Sequence, residues 1–411
     1  MIEPHGSGGI CHYTYELCQA LHFIGVDVHL YTNDNYELRE YPVSYAVGSC
    51  ASSRLKEWIK QRTSQFPSIK KRNSNKLSPT TSKRIEVNPK KQLAVADKPS
   101  MQIRSLFLYC ELLGRLILSG IRVIHIQWVN MQDSSVFVFI RLAKFLGITV
   151  VYTAHNVLPH DDDSLNTKKW MAKCYSLVDK IIVHSNSNVE EILDLFDFQA
   201  DKVFMIPHGN YGFFCHSSGK NEHAEFLNGK KSILFFGSIQ KYKGLDVLLE
   251  AFKTVHSQRN DLQLIIAGQL TEYDGKNAQY FKNLIIELGI EGAVELRIGY
   301  VPMNEVSRYF KSADVVALPY LKTYQSGVVQ LAYSFGKPVI ATNTGGLAEV
   351  VKHNESGFIV SPGDKDQLAS AILDIFQRPE ICRKMGRNAL ELSRSEYSWQ
   401  SIAVETKKLY Q

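Results

Sequence analysis

Outside one polar segment, the chain alternates short runs of β-branched residues with longer stretches in which apolar residues recur at helical spacing. This alternation is typical of parallel sheets built from strand-helix-strand units. In the first half, the pattern predicts strands at 26–32, 123–127, 149–154, 180–184 and 203–206. In the second half, it predicts strands at 232–236, 262–267, 293–298, 315–318, 338–341 and 357–360. Two open α/β units in series are therefore expected.

The pattern breaks after Ile206-Pro207-His208-Gly209, where a polar, Gly-containing stretch precedes the second series of strands. We predict a first domain over 1–207, a linker over 208–230, a second domain over 231–395 and a final segment over 396–411. Two such domains side by side leave a cleft between the carboxyl ends of their strands, where ligands of such sheets bind. Only Met1–Pro4 precede the first Gly-rich turn, so we expect an incomplete central strand and a natural start further upstream.

The net charge of +6 is unevenly distributed along the chain. Residues 54–98 contain 13 Lys and Arg against three acidic residues, which leaves the remainder of the chain negative. Because 52–100 is also rich in polar residues and poor in aromatics, we predict a disordered insert there. Two interpretations stay open, a solvated insertion or a polybasic contact with anionic lipid. Nucleic-acid binding by the folded part is not indicated.

Neither the cysteines nor the hydropathy point to a secreted or membrane-spanning protein. The seven cysteines are odd in number and lack C-x-x-C spacing, so we interpret them as ordinary thiols. No apolar run is long enough to span a bilayer, and no signal-type start is evident. We therefore expect a cytoplasmic protein.

Two candidate positions lie in the first half of the chain. Gly6–Gly9 forms a Gly-rich turn before a predicted helix, whose free amides can hold phosphate, although such turns are often structural only. His155 ends a predicted strand and should project into the cleft, where a neutral imidazole can hydrogen-bond a sugar hydroxyl. The alternative is a structural histidine. The nearby residues His160, Asp161, Asp162 and Asp163 are adjacent within one loop and do not form a metal-ligand pattern, so we interpret this loop as solvated or as facing the acceptor.

Two further candidates lie in the second half. Lys243 follows a predicted strand and a glycine turn, which would place a cation near a departing diphosphate; a surface lysine is the alternative. Ser326-Gly327-Val328 begins a wholly apolar helix, so its unpaired amides should point into the cleft and suit a phosphate.

Taken together and in this order, these motifs resemble the family-4 retaining glycosyltransferases of the GT-B fold over nearly the whole chain except the basic insert. The segments that carry the resemblance are Gly8-Gly9, Thr153-Ala154-His155, Ile206-Pro207-His208-Gly209, Phe236-Gly237 to Lys243-Gly244, Gly336-Lys337-Pro338-Val339-Ile340-Ala341 and Gly345-Gly346-Leu347-Ala348-Glu349. The resemblance implies two Rossmann-like domains facing a central cleft. It also implies transfer of a sugar from a nucleoside-diphosphate sugar to a hydroxyl acceptor, with retained configuration and without a metal.

By the same resemblance, His155 approaches the donor sugar and Lys243 neutralises the diphosphate. Gly9 would back the phosphate from the first domain, and the amides of Ser326, Gly327 and Val328 would complete the anion site. The carboxyl-terminal helix around 399–409 would cross back to the first domain. A glycan or lipid-linked acceptor, in assembly of an exopolysaccharide or capsule, is the expected context.

The sequence departs from the family pattern at three positions. Ser238 stands where the family has arginine, which leaves Gln240 or Lys241 as substitutes. Counting back from Gly336, the two family glutamates fall on Thr323 and Leu331, so neither carboxylate is present. Gln325 and Gln330 are the next candidates for the ribose contact. Two alternatives stay open. A nucleotide-sugar epimerase or hydrolase can use the same fold, because a fold does not fix the reaction. The departures, together with the short start, also keep open a non-catalytic partner subunit.

Overall fold

The computed structural model describes residues 1–50, 98–131, 133–159, 162–215, 230–271 and 273–411. Within them the chain forms two separate parallel sheets, one of seven strands and one of six, with helices on their faces. The expectation of two parallel-sheet α/β domains is confirmed. The predicted insert at 52–100 falls almost wholly outside the described residues.

The first sheet is built from residues near the start of the chain and from those that follow the insert. Its strands are β1 Ile2–Glu3, β2 His29–Thr32, β3 Ala46–Ser49, β4 Val123–Ile126, β5 Thr149–Thr153, β6 Lys180–Val183 and β7 Val203–Met205. Its helices are α1 Gly8–Phe23, α2 Lys98–Leu118, α3 Ser135–Phe145, α4 Leu165–Leu177 and α5 Asn186–Leu195. A short 3₁₀ turn, Gly212–Cys215, follows on the way to the second sheet.

The second sheet alternates strictly with helices. Its strands are β8 Lys231–Phe236, β9 Leu262–Gly268, β10 Val294–Ile298, β11 Val315–Leu318, β12 Val339–Thr342 and β13 Gly357–Val360. The helices are α6 Leu245–Gln258, α7 Ala278–Glu287, α8 Met303–Ser312, α9 Gly327–Ser334, α10 Leu347–Val350, α11 Lys365–Gln377, α12 Pro379–Arg394 and α13 Trp399–Lys408. Strands such as β11 are apolar at every position because helices bury both faces of a parallel sheet.

The strands predicted from the apolar pattern do not include two strands of the first sheet: β1, which was expected only as an incomplete central strand, and β3, which was not expected. β1 has only two residues, yet it pairs with β2 on one side and β4 on the other. The buried Glu3 carboxylate also accepts hydrogen bonds from the amides of His5 and Gly6, which closes the turn after β1. β3 is a half-exposed edge strand, so its sequence lacks the apolar run that identified the others. The predicted 26–32 strand begins only at His29.

Strand order places a cleft at the centre of each sheet. The orders are β3-β2-β1-β4-β5-β6-β7 and β10-β9-β8-β11-β12-β13. In each sheet the winding direction reverses between two central strands, β1 and β4 or β8 and β11. Loops that leave the carboxyl ends of such neighbouring strands diverge and open a crevice for ligand.

The last helix, α13, packs against α1 and so returns to the first sheet. Trp399 lies in a core cluster with residues of α1, and its indole N–H donates to the carbonyl of Asn210 at 2.8 Å. Lys407 donates to the carbonyl of Ile24 at 2.9 Å, and Lys180 donates to that of Leu409 at 2.7 Å. Charged side chains therefore cap backbone carbonyls on both sides of this contact.

All seven cysteines lie in the described part of the chain and are free thiols. Among the helices of the described residues, none combines the length and apolar character that crossing a membrane requires.

The carboxyl-terminal contact includes a buried histidine. His125 Nδ1 lies 2.6 Å from the hydroxyl of Tyr410, and its Nε2 lies 2.7 Å from the hydroxyl of Thr153. Burial lowers the pKa of His125 to about 3, with the amino terminus and His184 adding to the shift. The folded protein therefore holds this imidazole neutral well below the pH at which an unfolded chain protonates it.

This shift predicts loss of stability on the acid side. Stability from neutral His125 is present above its unfolded pKa and is lost as pH falls towards the folded value. Between pH 7 and pH 5 this loss amounts to about 2 kcal/mol. His125→Gln should therefore lose about 2 kcal/mol less free energy of unfolding over that interval, measured by urea denaturation. His22→Gln, on an exposed position of α1, should follow the parent; equal pH dependence in all three proteins would contradict the prediction.

Candidate active site

A cavity of about 630 Å³ lies where the carboxyl edges of the two sheets face each other. Both domains line it. Of the positions singled out from sequence, the cavity is lined by Gly8, Gly9, His155, Lys243, Gln325, Ser326, Gly327, Val328 and Leu331. It is also lined by residues that the sequence did not single out, among them His12, Glu37, Tyr211, Tyr300 and Tyr320.

Lys243 is a buried cation on the second-domain side of the cavity. It sits in the 3₁₀ turn Lys241–Lys243 after β8, and its ammonium lies 5.3 Å from the centre of the Tyr320 ring. Burial lowers the pKa of this ammonium. Among the described residues, no carboxylate lies within ion-pair distance of it. A buried charge without a partner is costly, so this environment suits an anionic ligand.

The start of α9 lies beside that ammonium. Ser326 is the N-cap residue, and its hydroxyl accepts from the amide of Val328 at 3.2 Å. The amide of Val328, which the resemblance assigned to the anion site, is therefore already paired. The amide of Gly327 has no hydrogen-bond partner within the described chain, and Gly327 lines the cavity.

The start of α1 lines the cavity from the first-domain side. The amide of Gly8 donates to the Glu37 carboxylate at 2.7 Å, and Glu37 also pairs with His12 at 2.9 Å. One of the amides expected to bind phosphate is therefore already hydrogen-bonded to a protein carboxylate. The amides of Gly9 and Ile10 have no acceptor among the described residues, and both residues line the cavity.

Tyr211 stands between these two helix starts. Its hydroxyl donates to the carbonyl of Gly9 at 3.4 Å. A side-chain carbon added at Gly327 would lie 3.0 Å from the same hydroxyl. Gly9 at the start of α1 and Gly327 at the start of α9 therefore both lie next to the Tyr211 hydroxyl. Tyr211 belongs to the segment between the two sheets.

His155 lines the cavity, but both of its ring nitrogens are engaged. Nε2 lies 3.1 Å from Gln127 Oε1, and Nδ1 lies 3.2 Å from His184 Nε2. His184 Nδ1 lies 2.9 Å from the carbonyl of Ile206, which requires the His184 proton there. Both ring nitrogens of His155 therefore face groups of the first domain, and the Gln127 side-chain N–H donates to the Met1 sulfur at 3.0 Å. The expected hydrogen bond from His155 to a sugar is therefore not available in this arrangement.

A cluster of neutral histidines surrounds this network. The ring of Tyr13 packs against His155, His184 and His208, with centroid separations of 4.8, 5.3 and 5.0 Å. Burial lowers the pKa of His184 to about 4 and that of His208 to about 3, and it lowers that of His155 well below the usual range. Within the described residues these side chains do not form a group able to hold a metal ion.

Three sequence candidates are not brought to the cavity. Lys241 is exposed and forms an ion pair with Asp274 at 2.7 Å. Gln240 precedes the 3₁₀ turn and lies outside the cavity lining. The Thr323 hydroxyl donates to the carbonyl of Gln325 at 2.9 Å, so it stabilises the turn before α9. Asp162 also has a local role, since it accepts from the amide of Ser164 before α4.

The remaining candidates divide between cavity and core. Leu331 lines the cavity on α9, one residue after Gln330, which is buried. Both amide atoms of Gln330 lack a hydrogen-bond partner in the described structure. Gln325 does line the cavity, and its side-chain oxygen is likewise buried without a partner there. An unsatisfied buried acceptor is costly, so Gln325 suits a ligand that donates a hydrogen bond.

Some of the missed residues carried a readable signal. Gln127 and His184 immediately follow β4 and β6, and His155 lies two residues after the end of β5. The carboxyl ends of parallel strands meet at one edge of the sheet. Glu37 and Tyr211 offered none, because their place in the site depends on loops folding back over helix starts.

Comparison with known proteins gives matches along most of the chain. The model of Glycosyltransferase Family 4 matches residues 7–209, and that of Glycosyl transferases group 1 matches residues 219–392. A relative described as an uncharacterized glycosyltransferase of Methanocaldococcus jannaschii is 30% identical over 240 residues, 56% of this chain and 59% of that protein. D-inositol 3-phosphate glycosyltransferase of Corynebacterium efficiens is 26% identical over 284 residues, 64% of this chain and 65% of that protein. The chain thus spans less than two thirds of these relatives' length.

Solved structures match the fold over the whole chain. Sucrose-phosphate synthase from Thermosynechococcus elongatus has a TM-score of 0.67 at 18% identity, covering 100% of this chain and 97% of that one. Anabaena Alr3699/HepE in complex with UDP has a TM-score of 0.67 at 15% identity, covering 99% and 98%. With two family models that adjoin at the junction of two parallel-sheet domains, the chain belongs to the family-4, group 1 glycosyltransferases of the GT-B fold.

Proposed function

We propose that this chain transfers a sugar from a nucleoside-diphosphate sugar to a hydroxyl acceptor, with retention of anomeric configuration. The observation that carries the proposal is the buried ammonium of Lys243, which has no carboxylate partner in the described chain and adjoins the start of α9. The names of the sequence relatives support it. So do the structures of Anabaena Alr3699/HepE with UDP and with UDP-glucose.

In the proposed reaction, the bond between the anomeric carbon and the diphosphate breaks while the acceptor oxygen bonds to the same face of that carbon. The proton of the acceptor hydroxyl passes to the departing diphosphate oxygen. The departing diphosphate gains negative charge, and fixed positive groups that face it lower the barrier. Lys243 would supply a full charge, and the amides of Gly327 and Gly9 would supply hydrogen bonds from two helix starts. We propose that these groups, without a metal ion, stabilise the leaving group.

The transferred sugar would lie between this anion site and the first domain. Gln325 offers its buried, unpaired side-chain oxygen to a sugar hydroxyl. The His155 ring, held by Gln127 and His184, would shape the pocket by contact and not by hydrogen bonding. The acceptor would enter on the first-domain side, beside the contact between the Glu37 carboxylate and the His12 ring.

The wider setting rests on the sequence. We propose that the chain works at the cytoplasmic face of a membrane, in assembly of an exopolysaccharide, capsule or related glycan, on a glycan or lipid-linked acceptor. The basic residues of 54–98 would provide contact with anionic lipid.

A ligand screen tests the proposal against its alternatives. Thermal shifts should be measured with nucleoside diphosphates and nucleotide sugars, because a ligand that binds only the native state raises its stability. Sugar transfer that needs both donor and acceptor supports the proposal. Donor turnover without an acceptor would indicate an epimerase or hydrolase, and absence of nucleotide binding would indicate a non-catalytic partner subunit.

Lys243→Met should separate activity from stability. Loss of one charged contact in the transition state should cost about 3 kcal/mol, or roughly a hundredfold in kcat/KM. Removal of an unpaired buried ammonium should leave the melting temperature unchanged or raise it. Lys241→Met, two positions earlier but exposed and ion-paired outside the cavity, is the control and should be nearly as active as the parent. Equal rates for both variants would remove Lys243 from the site.

Leu331→Glu should restore a ribose contact if this position faces the nucleotide. A carboxylate that accepts from ribose hydroxyls should strengthen nucleoside-diphosphate binding by about 1–3 kcal/mol. Without nucleotide the same carboxylate is buried unpaired, so the melting temperature should fall. Leu331→Gln is the neutral control and should gain less affinity. Lower stability without tighter binding in Leu331→Glu would make Leu331 a core residue only.

Deletion of 54–98 should leave transfer to a soluble acceptor analogue nearly unchanged, while binding to anionic vesicles at low salt should weaken. Vesicle sedimentation of both proteins measures this. Equal sedimentation would exclude the lipid contact and leave the solvated insertion.

A further inference from the structure

The first turn of α5, in the first domain, is completed by a residue of the second domain. Within the first domain, Ser185 accepts from the amide of Asn188 at 3.2 Å through its hydroxyl. The two preceding amides have no acceptor on their own side. The amide of Asn186 donates to Glu349 Oε2 at 2.8 Å, and the amide of Ser187 donates to Glu349 Oε1 at 2.8 Å. Glu349 belongs to α10. The Asn186 side chain adds a third hydrogen bond at 3.1 Å.

This contact differs from an ordinary helix cap because it joins two domains. Unpaired amides at a helix start attract a carboxylate, and the helix dipole strengthens that attraction. The contact forms only when the two sheets stand in the relation seen here. Asp364 provides the comparison, because it caps α11 through the amides of Asp366 and Gln367 within one domain.

A second contact lies beside the first. Tyr324 belongs to the loop between β11 and α9 of the second domain, yet it is buried in the hydrophobic cluster of the first domain. Its hydroxyl is hydrogen-bonded to the Glu191 carboxylate and to the backbone of Leu158. The residue that directly precedes Gln325 and Ser326 is therefore anchored in the opposite domain.

Backbone contacts link Tyr324 to the loop that leads to Glu349. The amide of Gly346 donates to the carbonyl of Tyr324 at 2.9 Å. Gly346 also lies so close to α5 that an added side-chain carbon would be 2.9 Å from Ser185 Cβ. Glu349, Gly346 and Tyr324 thus form one continuous contact that leads from α5 to the start of α9.

We propose that Glu349 and Tyr324 are positioning residues that couple closure of the two domains to placement of the turn carrying Gln325 and Gly327. With the domains apart, Tyr324 leaves its site beside Glu191, and the turn loses the anchor that directs it at Lys243. The anion site is complete only in the closed form. The kinetic consequence rests on the proposed function, whereas the effect on domain closure does not.

Small-angle X-ray scattering of the full chain tests the structural part. Glu349→Ala should shift the equilibrium towards the open form, with a closed-to-open ratio lowered about fivefold or more. Glu349→Gln keeps one acceptor oxygen and should open less. Asp364→Ala removes a cap of the same kind within one domain, so it should lower the melting temperature without enlarging the radius of gyration. Equal radii for the parent and both Glu349 variants would overturn the proposal.

Kinetics test the positioning role. In Glu349→Ala and in Tyr324→Phe, which keeps the buried ring but removes the hydroxyl, kcat should fall severalfold. The dissociation constant of UDP should rise in the same variants, because only the closed form completes the anion site. Unchanged kcat together with unchanged UDP affinity would overturn the coupling. Should scattering show opening while the parent itself has no transferase activity, the domain contact stands and the proposed function fails.

Discussion

Backbone amides at helix starts have no acceptor within their own helix, and this constraint organises the cleft. Three helix starts meet there, those of α1, α5 and α9. Each has part of its amides satisfied by a protein oxygen, from Glu37, Glu349 and Ser326 respectively. The amides of Gly9 and Gly327 lack such an oxygen within the described chain. They lie on opposite walls of the cavity, where a diphosphate can supply the missing acceptors.

The charges around the cavity fit the same ligand. Lys243 is buried beside Tyr320 and contributes positive charge, while the pKa of the buried histidines is lowered, so they stay neutral. Neutral imidazoles can be packed around Tyr13 without mutual repulsion. The first-domain wall therefore acts mainly through shape and fixed hydrogen bonds, whereas the electrostatic attraction for an anion comes from the second domain.

The two walls are tied together by side chains that cross between domains. Tyr211 reaches both glycine turns, Tyr324 enters the core of the first domain, and α13 packs on α1. The junction between the sheets therefore combines polar contacts, such as that of Glu349, with buried side chains such as Tyr324 and Trp399. Polar contacts of this kind are individually weak in water.

The sequence by itself determined the two α/β domains, most strands and the residues at strand ends, because apolar periodicity and carboxyl-edge position follow from local spacing. It placed Lys243 and Gly327 at the cavity on those grounds. It missed β3, whose half-exposed residues lack an apolar run. Only the tertiary structure decided that Glu37 takes the amide of Gly8, that His184 and Gln127 occupy both nitrogens of His155, and that Lys241 pairs with Asp274. These outcomes depend on side chains that are distant in sequence and compete for the same hydrogen-bond donors and acceptors. A local sequence pattern does not predict which of these partners forms the bond.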